Sequence, residues 1–289
     1  MIPASFTYLS PKSLKEAVEL LSSYREEAKL LAGGQSLVPL MKLRLARPRY
    51  IIDLRGISEL NCIQDEGGRI VIGALTTHAE VEDSELLRKK CPLLSETAAA
   101  IGDVQVRNQG TIGGSLAHAD PAGDMPAAVL ALEAEMKAVG PNGERWIPVK
   151  DFFLGLLTTA LEPDEILTAL KVPVLAGRKT AYLKAAQKAS GFAVVGMAVC
   201  LELDDDGTCG DIAIGVTGVA DKPYRAENVE EMLRGKKPDL RLIEESAAEV
   251  TRGVDVIEDI NGSKEYRSHL ARVYTLRAIQ AAVTSQPPR

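Results

Sequence analysis

Two short glycine-rich stretches carry the residue types that could do chemistry in this chain. The first, Ala32-Gly33-Gly34-Gln35-Ser36, follows the apolar run "AKLL" and precedes a short helical pattern. The second, Thr111-Ile112-Gly113-Gly114-Ser115, lies within "RNQGTIGGSLAHADPAGDMP", Arg107 to Pro126. Glycine at such turns permits positive φ and lets a phosphate approach backbone amides closely. A helix start behind the turn adds a favourable field. Either pair alone also fits a plain strand-to-helix turn. Two loops of the same kind, each a glycine pair followed by a hydroxyl, point to one dinucleotide held between two segments. The hydroxyls of Thr111 and Ser115 can donate to phosphate oxygens, and Asp124 can accept from ribose hydroxyls.

The same residues invite rival chemistries. Asp53 ends the strand after the first loop, where a Rossmann ribose-binding acid would sit, which would make this a stand-alone NAD(P)-dependent dehydrogenase. The loop, however, is GGQSLV rather than GxGxxG, and Pro39 shortens the helix behind it. His118, Asp120 and Asp124 invite a metal, but Asp120-Pro121 is a turn initiator and Asp124 can cap the helix "MPAAVLALEAEM", so no metal ligand is assigned. His78 and His269 lie in helical contexts as surface or satisfied residues, and only His118 is expected to line a cofactor. Cys62, Cys91, Cys200 and Cys209 are dispersed without CxxC, which speaks for reduced thiols rather than zinc or iron–sulfur ligands. No GxSxG elbow or Ser/His/Asp set is present, and no catalytic acid or base is assigned.

The elements that must position these loops fall into three regions. In residues 1–54, Ser10 and Pro11 open a helix with Leu14, Ala17, Val18 and Leu21 on one face, "SLVPLMKLRL" forms a short helix, and "YIIDL" a buried strand. In residues 55–177, "GRIVIGALTTHAEV" runs from strand into helix, helices cover 80–88 and 93–101, and the polar stretch 107–126 is a loop. Strands then flank Pro141-Asn142-Gly143, and "PDEILTALKVPV" leads into another. In residues 178–289, two strands flank an Asp-Gly turn. Helices follow over 227–234, 240–252 and 266–283, the last with Leu270, Val273, Leu276, Ile279 and Val283 on one face. The tail "TSQPPR" is expected to fray.

Composition narrows the function classes. The 289 residues are 46% hydrophobic and 26% charged, with net charge −6 and pI about 5.3. An acidic chain without long basic runs is a poor nucleic-acid binder. No run approaches the roughly 18 apolar residues of a membrane span, and the N-terminus lacks a signal-peptide pattern. The expected location is the cytoplasm, including association with the inner face of the membrane.

At this point the residues resemble a known family. "LAGGQSLVPLMKLRLARPRYIIDL" and "RNQGTIGGSLAHADPAGDMPAAVLAL" resemble the FAD-binding medium subunit of molybdenum hydroxylases, the carbon monoxide dehydrogenase and xanthine dehydrogenase group. "VIGALTTHAEV", "LEPDEILTALKVP", "QKASGFAVVGMAV" and "YRSHLARVYTLRAI" continue the likeness through the chain in order. The resemblance implies an α+β protein, with a two-subdomain FAD-binding fold of the vanillyl-alcohol oxidase type and a C-terminal antiparallel sheet with helices. It implies FAD on this chain, [2Fe–2S] clusters on a small partner subunit, and the molybdenum cofactor on a large one. It further implies a dimer of heterotrimers, in which this subunit passes electrons to an external acceptor.

Carried over residue by residue, Leu31, Ala32, Gly33, Gly34, Gln35, Ser36 and Leu37 would line the pyrophosphate and one side of the flavin. Thr111, Gly113, Gly114 and Ser115 would hold the other side, with His118 lining the site and Asp124 near the ribose. Ile101 and Gly102 would lie beside the flavin, Ile166 or Leu167 near its rings, and Lys184 near the isoalloxazine. Some relatives have an acidic residue where this chain reads Ser190-Gly191-Phe192, and the longer segment with which xanthine dehydrogenases bind NAD has no equivalent here. That leaves a quinone or another carrier open as the acceptor.

Overall fold

The computed structural model describes residues 2–285; most of the tail expected to fray, residues 286–289, lies outside the described residues. The first region is β1 (Thr7–Leu9), α1 (Leu14–Tyr24), β2 (Ala28–Leu31), α2 (Leu37–Lys42) and β3 (Tyr50–Asp53). Its strands form a parallel sheet in the order β1-β3-β2, so β3 is central and Ile51 and Ile52 are buried. Helix α1 starts later than expected. Its N-cap is Ser13, whose hydroxyl accepts from the Glu16 amide, while the Glu16 carboxylate accepts from the Lys12 amide. The Ser13-x-x-Glu16 spacing satisfies two end amides at once, which Ser10 and Pro11 cannot do.

The second region contains β4 (Ile63–Asp65), β5 (Arg69–Gly73), α3 (His78–Asp83), α4 (Glu85–Lys90), α5 (Pro92–Ala100), α6 (Val104–Gln109), α7 (Ile112–His118) and α8 (Met125–Ala131). It continues with β6 (Glu135–Gly140), β7 (Gly143–Pro148), β8 (Phe153–Gly155), β9 (Thr158–Thr159) and β10 (Ile166–Pro173). An antiparallel sheet runs β4-β5-β10-β6-β7, and β8 and β9 form a separate hairpin. Two expectations are corrected here. The helix expected over 80–88 breaks at Ser84, which caps α4 just after the Thr77–Glu80 capping box has opened α3. The stretch expected to be a loop, 107–126, is mostly helical. Asp103 caps α6, Thr111 caps α7, and α7 ends at Ala119 in the left-handed region. Polar composition concealed two short capped helices, α6 and α7.

The third region contains β11 (Lys179–Ala186), β12 (Ala193–Leu203), β13 (Cys209–Thr217), β14 (Tyr224–Arg225), α9 (Glu227–Leu233), α10 (Leu240–Ala247) and α11 (Lys264–Thr284). Its sheet is antiparallel in chain order. Helix α11 lies on β11 and β12 through Arg267, Ala271, Thr275, Ala278, Ile279 and Ala282, all buried. The larger residues expected to face the core, Leu270, Val273, Leu276 and Val283, are only half-buried. Small side chains let the helix axis approach the sheet, so volume rather than hydropathy selects the face.

The second region is sewn to the third by the segment after α7. The Ala193 amide donates to the Ala122 carbonyl at 3.2 Å and the Gly218 amide to the Pro121 carbonyl at 2.6 Å. The Thr217 hydroxyl lies 2.7 Å from the carbonyls of both Pro121 and Gly123. Asp120 shapes this segment by accepting from the Ala122 amide at 2.9 Å.

Candidate cofactor site

The first glycine loop joins the end of β2 to the start of α2. Gly34 has φ +72°, which a side chain rarely tolerates. The carbonyls of Gly34 and Ser36 accept the first amides of α2, from Val38 and Leu40. The amides of Gly33, Gly34, Gln35 and Ser36 donate to no acceptor among the described residues. Four successive amides with no chain partner form a concave donor set suited to phosphate oxygens. Leu31, Ala32 and Leu37 flank it half-buried.

The second loop differs. Ile112 donates to the Thr76 carbonyl, Gly113 to the Ala74 carbonyl, Gly114 to Thr111 Oγ1 and Ser115 to the Thr111 carbonyl, all within 2.9–3.1 Å. Its backbone donors are therefore spent inside the protein. Of its glycines, Gly113 is required for chain packing, while Gly114 has open space beside it apart from the Thr111 hydroxyl and the Ala32 methyl. A Cβ on Gly113 would lie 2.4 Å from Ala74 Cβ, and one on Gly114 3.7 Å from Ala32 Cβ. A tighter constraint lies in the first loop, where a Cβ on Gly33 would lie 2.0 Å from the Gln109 carbonyl oxygen. The loops thus meet directly, the first resting on the α6–α7 junction. The second offers side-chain donors: Ser115 Oγ bonds to nothing in the described chain, and Thr111 Oγ1 accepts from Gly114 while keeping its own proton. His118 sits half-buried in the last turn of α7.

Asp124 makes no capping hydrogen bond to α8, contrary to expectation. Its buried carboxylate instead accepts from Tyr182 Oη at 2.5 Å and pairs with Lys184 Nζ at 3.0 Å. Burial raises the Asp124 carboxyl above its usual range, with Lys184 and Tyr182 pulling the other way. Burial and the neighbouring carboxylate push the Tyr182 phenol well up. Tyr182 and Lys184 are two apart on β11 and so share one face. Sequence reasoning missed Tyr182, although that i, i+2 spacing was available.

Lys184 also donates to the Gly191 carbonyl at 2.6 Å, at the end of a turn shaped by Gln187 Oε1, which accepts from the Ala189 and Ser190 amides. That turn reaches Gly102: a Cβ on Gly191 would lie 3.0 Å from Gly102 Cα. Gly102 is itself at φ +37°, and the preceding Ile101 carbonyl accepts from Arg107 of α6. Lys184, Gly191, Gly102 and α6 therefore connect Asp124 to the junction on which the first loop rests. Ile166 and Leu167, successive residues of β10, are buried on opposite faces, Ile166 among the first region's core and Leu167 in the larger one.

Two expectations outside the loops are corrected. His78 is neither exposed nor satisfied. It is buried at the start of α3 with Nδ1 lacking a partner, and burial pushes its pKa down to about 4. Asp53 is not free to hold a ribose. Its buried carboxylate accepts from Tyr8 Oη at 2.5 Å and pairs with Arg55 at 2.6 Å. Burial raises its pKa, but the hydrogen bonds from Arg55 and Tyr8 outweigh that and hold it below the usual range. The acid needed by a stand-alone nicotinamide site is thus spent on structure.

A short parallel sheet feeding a glycine nest, joined to an antiparallel sheet and a second glycine loop, defines a dinucleotide-binding protein of α+β class. Residues 4–175 match the family described as the FAD binding domain in molybdopterin dehydrogenase, and residues 180–282 match the CO dehydrogenase flavoprotein C-terminal domain. The chain is 41% identical over 283 residues to the carbon monoxide dehydrogenase medium chain of Hydrogenophaga pseudoflava, covering 98% of each. It is 38% identical over 280 residues to the glyceraldehyde dehydrogenase medium chain of Sulfolobus acidocaldarius, covering 97% of this chain and 99% of that one. A solved structure of the Hydrogenophaga pseudoflava carbon monoxide dehydrogenase lacking the Mo-pyranopterin moiety superposes with TM-score 0.95 at 42% identity, covering 98% of each chain. The chain belongs to the family of FAD-binding electron-transfer subunits of molybdenum hydroxylases, and is the flavoprotein component of a multi-subunit oxidoreductase. Its architecture is the vanillyl-alcohol oxidase type of FAD-binding fold with a C-terminal antiparallel sheet and helices.

Proposed function

We propose that this chain holds FAD between its two glycine loops, takes electrons from [2Fe–2S] clusters on a small partner subunit and passes them to an external acceptor. The molybdenum cofactor belongs in this reading to a large partner, within a dimer of heterotrimers. The observation that carries the reading is the run of four partnerless amides, Gly33 to Ser36, set against the α6–α7 junction. These amides are the pyrophosphate donors, and the hydroxyls of Ser115 and Thr111 complete the set. FAD is the cofactor suited to this junction because it accepts electrons singly or in pairs and so links one-electron donors to a two-electron acceptor.

The remaining roles fall to side chains around that nest. Lys184 supplies a cation held in place by Asp124 and the Gly191 carbonyl, on the flavin side with Ile101, Gly102 and one of Ile166 and Leu167. His118 sits on the ribose side, and Asp124, its buried carboxylate taken by Tyr182 and Lys184, acts there by fixing that cation rather than by accepting from the ribose. The subdomain boundaries proposed are 1–54, 55–177 and 178–289, supported by three separate main sheets drawn from those ranges. The relatives' names differ in substrate while their lengths match this chain throughout, which supports a substrate pocket on another subunit. A cytoplasmic location, including the inner face of the membrane, fits four unpaired cysteines, three of them with thiol pKa values raised by burial. The test is direct. The purified protein should carry noncovalent FAD that is released on denaturation, and a chain that neither carries nor takes up flavin would overturn the reading.

A further inference from the structure

Lys184 holds more donors than the chain uses. An ammonium group carries three protons. The Asp124 carboxylate takes one, with Oδ1 at 3.0 Å and Oδ2 at 3.1 Å, and the Gly191 carbonyl takes a second at 2.6 Å. Among the described residues no further acceptor bonds to Nζ, although the side chain is only 8% exposed. A nearly dry N–H is costly to leave unpaired, so an unspent one points to an acceptor beyond the chain. What keeps it unspent is Tyr182. The phenol hydroxyl donates to Asp124 Oδ1 at 2.5 Å, and burial holds its proton in place, so it acts only as a donor. Asp124 thus has two donors. Without the hydroxyl, Oδ1 would have Lys184 alone, already 3.0 Å away, and the ammonium would turn its third proton onto the carboxylate.

We propose that Tyr182 is a positioning residue for the flavin: by satisfying Asp124 it frees the third proton of Lys184 for the cofactor, and so raises the cofactor's affinity for electrons. The inference rests on the function proposed above, which puts Lys184 on the flavin side. Reduction adds negative charge to the flavin ring system, and a cationic donor in a dry site favours that state. The Gly191 carbonyl fixes where the ammonium stands. Gly191 in turn packs on Gly102, the residue placed beside the flavin. Tyr182 therefore acts without touching the cofactor, through a competition for one hydrogen bond. Asp124 is the competitor, and the hydroxyl decides how much of the lysine it claims.

The test measures the midpoint potential of FAD in the full chain, with FAD affinity and thermal unfolding of the FAD-free form alongside. The variants are Tyr182→Phe, Asp124→Asn, Tyr182→Phe/Asp124→Asn and Lys184→Met/Asp124→Asn. Tyr182→Phe should lower the equilibrium constant for FAD reduction by at least about tenfold, which is about 30 mV for a two-electron couple. Asp124→Asn removes the charge that competes for Lys184 and should raise the constant. Adding Tyr182→Phe to Asp124→Asn should change nothing further, because the hydroxyl acts through the carboxylate. An unchanged potential in Tyr182→Phe overturns the inference, even where Tm falls, since a structural bond alone lowers Tm and leaves the potential. A fall of equal size with and without the Asp124 carboxylate also overturns it. Where Tyr182→Phe does not fold, meta-fluorotyrosine at position 182, a stronger donor of nearly the same shape, should raise the potential of the wild type and not that of Asp124→Asn; no rise overturns the inference. Lys184→Met/Asp124→Asn separates the two failures. A potential below that of Asp124→Asn supports the lysine at the flavin. Equal potentials refute that placement in the function proposed above, and the inference falls with it. A fall there without one in Tyr182→Phe overturns the inference alone.

Discussion

Gly33→Ala is the substitution on which the site geometry makes its sharpest demand. The new Cβ would fall 2.0 Å from the Gln109 carbonyl oxygen and 2.8 Å from both its carbonyl carbon and Gly110 Cα. All three are backbone atoms, so no rotamer change relieves the clash, and the first loop must move off the α6–α7 junction by about 1 Å. Overpacking of this kind costs about 1–3 kcal/mol. For a chain of this size each kcal/mol lowers Tm by about 2–4 °C, so the FAD-free protein should melt about 2–12 °C lower. The larger effect is on the cofactor. The four open amides belong to the displaced loop, and a 1 Å error in a preorganised donor set weakens FAD binding by about a hundred-fold. Gly114→Ala is the control. Its Cβ meets only the rotatable Thr111 hydroxyl at 2.8 Å and Ala32 Cβ at 3.7 Å, so it costs the α7 cap, about 0.5–2 kcal/mol, and retains FAD. Flavin absorbance per chain, FAD titration and thermal unfolding of both forms give the readout. Wild-type FAD content and Tm in Gly33→Ala, or equal losses in the two variants, would refute the reasoning.

Two further outcomes follow from the buried titratable groups. Lys184→Met leaves Asp124 buried without its cation and should cost about 3–5 kcal/mol near neutral pH. The Asp124 pKa, already raised, then rises further, so the folded state binds the proton more tightly than the unfolded one and the penalty shrinks as pH falls; denaturant unfolding across pH measures this, and a pH-independent penalty would contradict it. His78, with its pKa depressed from 6.5 to about 4, binds its proton less tightly when folded, so it withdraws stability as pH falls through that window. His78→Asn should remove about 3 kcal/mol of acid sensitivity between those values, and an unchanged acid-unfolding profile would show that His78 is not its source.

The two loops are legible as a pair because close backbone approach, and in the first loop the positive φ of Gly34, leave a compositional trace: glycine beside glycine, with a hydroxyl following. Their division of labour was not. Whether an amide is open depends on which carbonyl the fold brings to it, and Ala74 and Thr76 reach the second loop's amides only after β5 has turned into α3. The same holds for Asp124, which the following Pro126 suggests as a helix cap. Its partners are 58 and 60 residues away on β11. Sequence alone gives His78 an ordinary role because helical periodicity does not say which turn is buried under a neighbouring glycine, here Gly110.

The sequence by itself determined the elements governed by short-range rules. It specified the strands around Asp-Gly and Pro-Asn-Gly turns, the placement of the first glycine loop at a helix start, and the family. Backbone conformation and hydrophobic periodicity act over a few residues and can be read from them. Only the tertiary structure decided which donors stay open, which charges are spent on each other, and which face of α11 meets the sheet. Each of these depends on two distant segments competing for the same hydrogen bond or the same volume, and that competition is settled when the sheets and helices pack.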